Sequence, residues 1–146
     1  MLDLYAGTGS IGIEALSRGA SHVTFVETDR EALRLVRSNL QQCGMEAVAN
    51  ICACQVAQFF RRGTQWAGPY DIVFCDPPYR LTPEVLSLAG NWQPGWLADD
   101  AIVIIEHSNK ADIPATLGPL AQVKRYDYGD TALTRFHLTP KDAPHA

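Results

Sequence analysis

Short apolar runs alternate with amphipathic stretches along most of this chain. Leu2-Asp3-Leu4-Tyr5-Ala6, His22 to Val26, Ala49 to Cys54, Asp71 to Cys75 and Ala101 to Glu106 each span five or six residues and are rich in Val, Ile, Leu and Phe. Runs of that length read as buried strands. Between them the apolar residues recur at helical spacing. Ile11, Ala15 and Leu16 mark a first helix that ends at Gly19, and Leu33, Val36 and Leu40 form the stripe of a second that ends near Gly44. Thr28-Asp29-Arg30-Glu31 has the form of a capping box for that second helix. A third, short helix runs through the core aromatics Phe59 and Phe60, and Thr82-Pro83-Glu84 opens a fourth with a cap and an N1 proline. Ala121 to Tyr128 and Thr131 to Leu138 flank Gly129-Asp130, which predicts a hairpin that closes the sheet. Strands alternating with helices predict an α/β fold.

Composition narrows the class. With 146 residues, 47% hydrophobic content and no internal repeat, the chain can bury one core as a single domain. No apolar run approaches the roughly 18 residues that span a bilayer, and the first residues lack a basic segment followed by an apolar stretch and a cleavage site, so a cytoplasmic protein without a membrane is expected. Cys43, Cys52, Cys54 and Cys75 sit in or beside apolar segments, as reduced buried thiols do. Cys52 and Cys54 share one side of a strand, but no second pair or nearby histidine completes four ligands, and no metal is expected. The formal net charge of −4 does not advertise nucleic-acid binding. Arg61, Arg62 and Arg80, near the exits of the third and fourth strands, are the candidates for a local basic rim.

Two motifs carry the chemistry. Gly7-Thr8-Gly9-Ser10-Ile11-Gly12 is G-x-G-x-x-G between a strand and a helix, a nucleotide cradle. In that pattern the first glycine permits the tight turn, the second lets a ligand approach the backbone and the third lets helix pack on strand. Glu27 ends the second strand 20 residues past Gly7, the spacing at which an acid reaches ribose hydroxyls. The glycines do not choose between hydride transfer from a nicotinamide and methyl transfer. Asp76-Pro77-Pro78-Tyr79, directly after the fourth strand, does: a carboxylate, two ring-locked residues and an aromatic suit an enzyme that holds a flat base and accepts a hydrogen bond from its exocyclic amine. In an open α/β sheet both loops open at the carboxyl ends of strands, where ligands bind.

The run Leu2-Asp3-Leu4-Tyr5-Ala6-Gly7-Thr8-Gly9-Ser10-Ile11-Gly12-Ile13-Glu14-Ala15-Leu16-Ser17-Arg18-Gly19-Ala20 closely resembles the RsmD family of bacterial methyltransferases that modify N2 of a guanine in 16S ribosomal RNA. Asp76-Pro77-Pro78-Tyr79, Gly95-Trp96-Leu97-Ala98-Asp99 and Ile102-Val103-Ile104-Ile105-Glu106-His107 fit the same family. The resemblance implies a Rossmann-like fold for S-adenosylmethionine-dependent methyl transfer, with a mostly parallel sheet and an antiparallel C-terminal hairpin. It implies a methyltransferase domain over residues 1–138 that lacks the family's N-terminal extension, then a polar tail over 139–146. Its implied cofactor is S-adenosyl-L-methionine, and its implied partner is 16S ribosomal RNA in small-subunit particles, bound by a monomer.

In the implied site, Asp76 and the Pro77 carbonyl accept the amine hydrogens and Tyr79 stacks on the base. Asp3 and the Gly7 to Gly9 backbone bind the methionine portion, and Glu27 takes the ribose. Relatives commonly place Asp or Asn near the adenine after strand 3; here the position carries over to Gln55. Glu106 and His107 end the fifth strand close to this crevice, where the histidine reads as an ordinary strand-end residue with no role. The Asp-Pro-Pro-Tyr element also serves adenine-N6 methyltransferases, and a cofactor-binding module without chemistry is the reading from another class.

Overall fold

The computed structural model describes residues 1–62 and 68–139. Among the described residues, eight strands and four α-helices follow in the order β1 (Leu2–Leu4), α1 (Ser10–Ser17), β2 (Val23–Glu27), α2 (Arg30–Gln42), β3 (Ala49–Ala53), α3 (Val56–Arg62), β4 (Tyr70–Cys75), α4 (Thr82–Leu88), β5 (Leu97–Ser108), β6 (Thr116–Leu117), β7 (Leu120–Tyr128) and β8 (Thr131–Leu138). One sheet holds all eight strands in the order β3-β2-β1-β4-β5-β8-β7-β6. β1 to β5 pair in parallel, and β8, β7 and β6 add antiparallel strands at the far edge. The expected α/β fold with its antiparallel ending is therefore present. The two-residue β6 has no counterpart in the sequence pattern, because it is too short to show a period.

Strand order reverses at β1, which has β2 on one side and β4 on the other. The loops after β1 and β4 accordingly open into one crevice, the place where doubly wound sheets bind ligands. Apolar side chains cover both faces of the sheet. Leu2, Leu4, Val73, Val103 and Phe136 join Phe59, Phe60 and Trp96 on one face, while Val23 and Phe25 meet Leu16, Val36 and Leu40 on the other. Phe59 and Phe60 lie 5.0 Å and 5.9 Å from the Trp96 ring, so both are core; Phe60 borders only a small apolar cavity among Leu4, Val73, Trp92 and Val103.

Several local expectations are corrected. Strand 1 stops at Leu4, since Tyr5 takes φ 58 and leaves the extended region. Ile11 is 46% exposed; the face of α1 that meets the sheet is Gly12 and Leu16. No Thr28–Glu31 capping box forms. Asp29 is the N-cap of α2, its Oδ2 accepting from the Ala32 N–H, while Glu31 pairs with Arg34. Thr82 does not cap α4, because a 3-10 turn over Tyr79–Leu81 runs straight into that helix and leaves Thr82 inside it, buried. Cys43 is exposed beyond α2, unlike the buried Cys75. The tail expected over 139–146 lies, from residue 140 on, outside the described residues.

Gly12 shows why α1 can lie so close to β2. A Cβ there would stand 2.3 Å from Phe25 Cε1 and 2.9 Å from Val23 Cγ1, and Phe25 has no exposure into which to move. Alanine inside a helix normally gains about 1 kcal/mol over glycine. Here overpacking at about 1–3 kcal/mol outweighs it. Gly12→Ala is expected to lower the urea midpoint at unchanged m-value; a midpoint at or above that of the unmodified chain would show that α1 can lift off β2 freely.

Candidate active site

The glycine loop is held from three sides. Gly9 N–H donates to the Ala6 carbonyl at 2.9 Å, Asn39 Nδ2 of α2 donates to the Thr8 carbonyl at 3.1 Å, and Gly7 N–H donates to Glu27 Oε1 at 2.8 Å. Glu27 Oε2 accepts from the Thr28 and Asp29 N–H groups at 2.7 and 2.9 Å. One carboxylate thus ties the end of β2 to the loop after β1. A carboxylate has about four lone-pair sites, so Glu27 retains acceptor capacity for a ligand hydroxyl. Beneath the loop, Asp3 is buried and its Oδ2 accepts from the Gly12 N–H at 3.2 Å.

The glycines divide their work differently from the expected scheme. A Cβ on Gly9 would point at Val36 Cγ2 (3.2 Å) and Phe25 Cε1 (3.3 Å), toward the core rather than toward a ligand. What Gly9 supplies is φ 79 at the N-cap of α1. A Cβ on Gly7 would meet nothing within 4 Å. The open approach to the backbone is over Gly7.

A pocket of about 250 Å³ lies against the ends of β2 and β3, walled by Tyr5, Glu27, Cys54, Gln55, Ala57 and Arg80 among others. A wider cleft of about 520 Å³ continues past Asp76, Pro77 and Pro78. The two share Tyr5, Glu27, Thr28, Arg80 and Leu81, so they form one channel from Gln55 to Asp76. Asp76 is exposed in that cleft, its N–H directed at the Leu4 carbonyl at 3.4 Å, with Pro77 buried behind it. Tyr79 stands apart: its hydroxyl lies 2.7 Å from Thr131 Oγ1 at the β7–β8 hairpin, the residue is 48% exposed, and it lines neither pocket. Asp3 lines neither as well.

Acidic groups dominate the electrostatics. Burial pushes the Asp3 carboxyl up to about 7 against the Gly12 hydrogen bond, with smaller contributions from the charges of Asp76 and Glu27. Glu106 is pushed up to about 7 by its hydrogen bond with Asp76, then by partial burial and the Asp76 charge. Burial also raises the Tyr5 phenol and the Cys75 thiol. A crevice lined by several carboxyls favours a cationic ligand. Of the rim arginines, Arg80 is a wall of the channel and Arg62 is close enough to Cys54 to oppose the upward shift of its thiol. His107 is buried, with Nε2 2.7 Å from Thr134 Oγ1 and Nδ1 2.8 Å from the Ser108 carbonyl, a strand-end residue satisfied by its neighbours.

Sequence reasoning missed Tyr5, Thr28, Leu81 and Glu84 as channel walls and Asn39 as a loop anchor. Only Tyr5 left a signal, an aromatic directly before a glycine loop. It takes φ 58, an uncommon conformation for a non-glycine residue and one that is enriched at functional sites.

Comparison with known proteins bears on this channel. Residues 1–137 match a family model described as Conserved hypothetical protein 95. A candidate rRNA methyltransferase of Bacillus subtilis is 32% identical over 134 residues, covering 90% of this chain and 72% of the relative. Ribosomal RNA small subunit methyltransferase D of Escherichia coli is 37% identical over 117 residues, covering 77% of this chain and 55% of the relative. The matched part is thus little more than half of that protein. Among solved structures, a candidate methyltransferase of Escherichia coli superposes with a TM-score of 0.77 at 30% identity, covering 96% of this chain and 75% of that one. A conserved hypothetical protein of Streptococcus pyogenes superposes with a TM-score of 0.80 at 27% identity, covering 94% and 84%.

Proposed function

We propose the function of this chain from a premise: it belongs to the RsmD family of methyltransferases, matched by the model called Conserved hypothetical protein 95. The chain binds S-adenosyl-L-methionine and transfers its methyl group to the exocyclic N2 amine of a guanine in 16S ribosomal RNA, presented in small-subunit particles. The observation that carries this reading is the single channel that joins Glu27 and Gln55 at one end to Asp76 and Pro77 at the other.

The residues present fit the cofactor. Open space over Gly7 admits a ligand against the backbone, Glu27 has acceptor capacity left for ribose hydroxyls, and the Gln55 amide borders the pocket that suits the adenine. Asp3 acts from beneath, fixing the first turn of α1 so that the Gly7 to Gly9 backbone faces the methionine portion. When bound, S-adenosylmethionine supplies an electrophilic sulfonium methyl group.

The chain's own groups prepare the nucleophile. Guanine N2 is weak because its lone pair is delocalised into the ring. Asp76 Oδ and the Pro77 carbonyl accept the two amine hydrogens, which lets the nitrogen pyramidalise and localise that pair. Holding it in line supplies much of the acceleration. Asp76 then takes the surplus proton. Tyr79, pinned through Thr131 at the rim, offers its exposed ring to the splayed base, a contact worth about 1–3 kcal/mol.

Glu27→Ala is expected to weaken S-adenosylmethionine binding by roughly 1.5–3 kcal/mol, the value of one charge-assisted contact. It should also lower the thermal midpoint, because three backbone N–H groups lose their acceptor. Calorimetry and a melting curve check both, and unchanged affinity would remove Glu27 from the ribose site. The function itself is tested with methyl-labelled S-adenosylmethionine and small-subunit particles that lack the modification: label should enter the RNA. Label that enters neither particles nor free small-subunit RNA, or NAD bound in preference to S-adenosylmethionine, contradicts the proposal.

A further inference from the structure

Asp76 does not stand alone at the reacting end of the channel. β4 and β5 run in parallel, with Val73 opposite Val103, Phe74 opposite Ile104 and Cys75 opposite Ile105, so the next pair along is Asp76 and Glu106. Alternation puts Glu106 on the face of β5 opposite to the buried Val103, Ile105 and His107, and on the same side as Asp76, so the two carboxyls come within hydrogen-bonding reach of each other. Two carboxyl groups in hydrogen-bond contact hold a proton between them, since two adjacent carboxylates repel.

We infer that Glu106 is a positioning residue for the methyl transfer, holding a proton against one oxygen of Asp76 so that the other oxygen faces the substrate amine. This rests on the methyltransferase reading and extends it to a residue that touches neither substrate nor cofactor. As the product amine sheds its surplus proton, the N–H bond breaks with its electron pair left on nitrogen, and the proton forms an O–H bond on Asp76. Asp76 is exposed, so that proton passes on to water while Glu106 keeps its own. Glu106 remains protonated below about 7. Above that pH Glu106 gives up the proton it holds against Asp76, and Asp76 loses its fixed orientation.

The groups facing this pair come from every neighbouring strand. Asp3 lies on β1 and Glu27 ends β2, and both add negative charge. On β8, Leu133 is opposite Glu106, and Arg135 is one same-face step away, opposite Ile104. Asp3 is also pushed up to about 7, so it is the competing origin of any titration in that range.

The test separates the two. In wild type, kcat/KM should fall as pH rises through about 7. Glu106→Gln keeps a donor toward Asp76 without a titrating proton, so it should retain activity at pH 6 and lose the alkaline fall. Glu106→Ala should lower kcat at pH 6 by about tenfold to a hundredfold, the scale of a small misplacement, with cofactor affinity and thermal midpoint unchanged. Carboxyl-resolved NMR titration supplies a readout without turnover: the Glu106 midpoint should lie near 7 and drop toward the ordinary glutamate value of about 4.3 in Asp76→Ala. An alkaline fall that persists in Glu106→Gln, full activity in Glu106→Ala, or an ordinary Glu106 midpoint in wild type each overturns the inference. Inactive wild type with a Glu106 midpoint near 7 would instead sink the methyltransferase reading and leave the carboxyl pair standing.

Discussion

Asp76→Ala is expected to lower kcat by about 10²–10⁴, the range for a positioned acid or base, while S-adenosylmethionine affinity stays nearly unchanged. Asp76 lies at the far end of the channel from Gln55 and lines the wide cleft rather than the narrower pocket. Its loss removes the acceptor that localises the amine lone pair and the group that takes the proton. Fold should survive, because the side chain is exposed and the loop keeps its backbone anchor from Asp76 N–H to the Leu4 carbonyl. Steady-state kinetics with calorimetry on the same variant decides it. A drop in cofactor affinity comparable to the drop in turnover would mean that Asp76 holds the cofactor and not the amine.

Gly9→Val is expected to abolish measurable cofactor binding, for a reason that lies in the core. Forcing φ 79 on a β-branched residue costs about 1–3 kcal/mol. The new side chain must also share space with Val36 and Phe25, already 3.2 and 3.3 Å from its Cβ position, for about another 1–3 kcal/mol of overpacking. The loop relieves both by leaving its place, which breaks the Gly7 to Glu27 hydrogen bond and closes the open approach over Gly7. Calorimetry should find no binding, and the urea midpoint should fall. Normal affinity in the variant would show that the loop conformation does not form the site.

The strands were legible because five short runs were apolar without helical spacing, and a parallel sheet covered by helices is the arrangement that buries most of such runs; β3, at the edge, is only half-buried. Leu33, Val36 and Leu40 likewise form the buried stripe that their spacing predicts. Legibility failed where a local choice was settled by distant contacts. Ile11 is as apolar as Leu16, but Gly12 is what allows α1 to approach Phe25, and that approach turns Ile11 outward. Thr28 and Glu31 have the spacing of a capping box, yet Glu27 already takes the Thr28 N–H and Arg34 takes the Glu31 carboxylate. In the site, Glu27, Gln55, Asp76 and Pro77 were visible as motif residues and line one channel, and Gly7 is tied to it through Glu27. The partnership of Asp76 with Glu106 was not visible, since it depends on the register of two strands thirty residues apart.

Nucleoside mass spectrometry of the product tests the central claim most directly. Small-subunit particles lacking the modification would be incubated with this chain and methyl-labelled S-adenosylmethionine, and their RNA digested to nucleosides. The account predicts label in N2-methylguanosine, and none when Asp76→Ala replaces the unmodified chain. Label in N6-methyladenosine would contradict it by assigning the Asp76-Pro77-Pro78-Tyr79 loop to the other exocyclic amine.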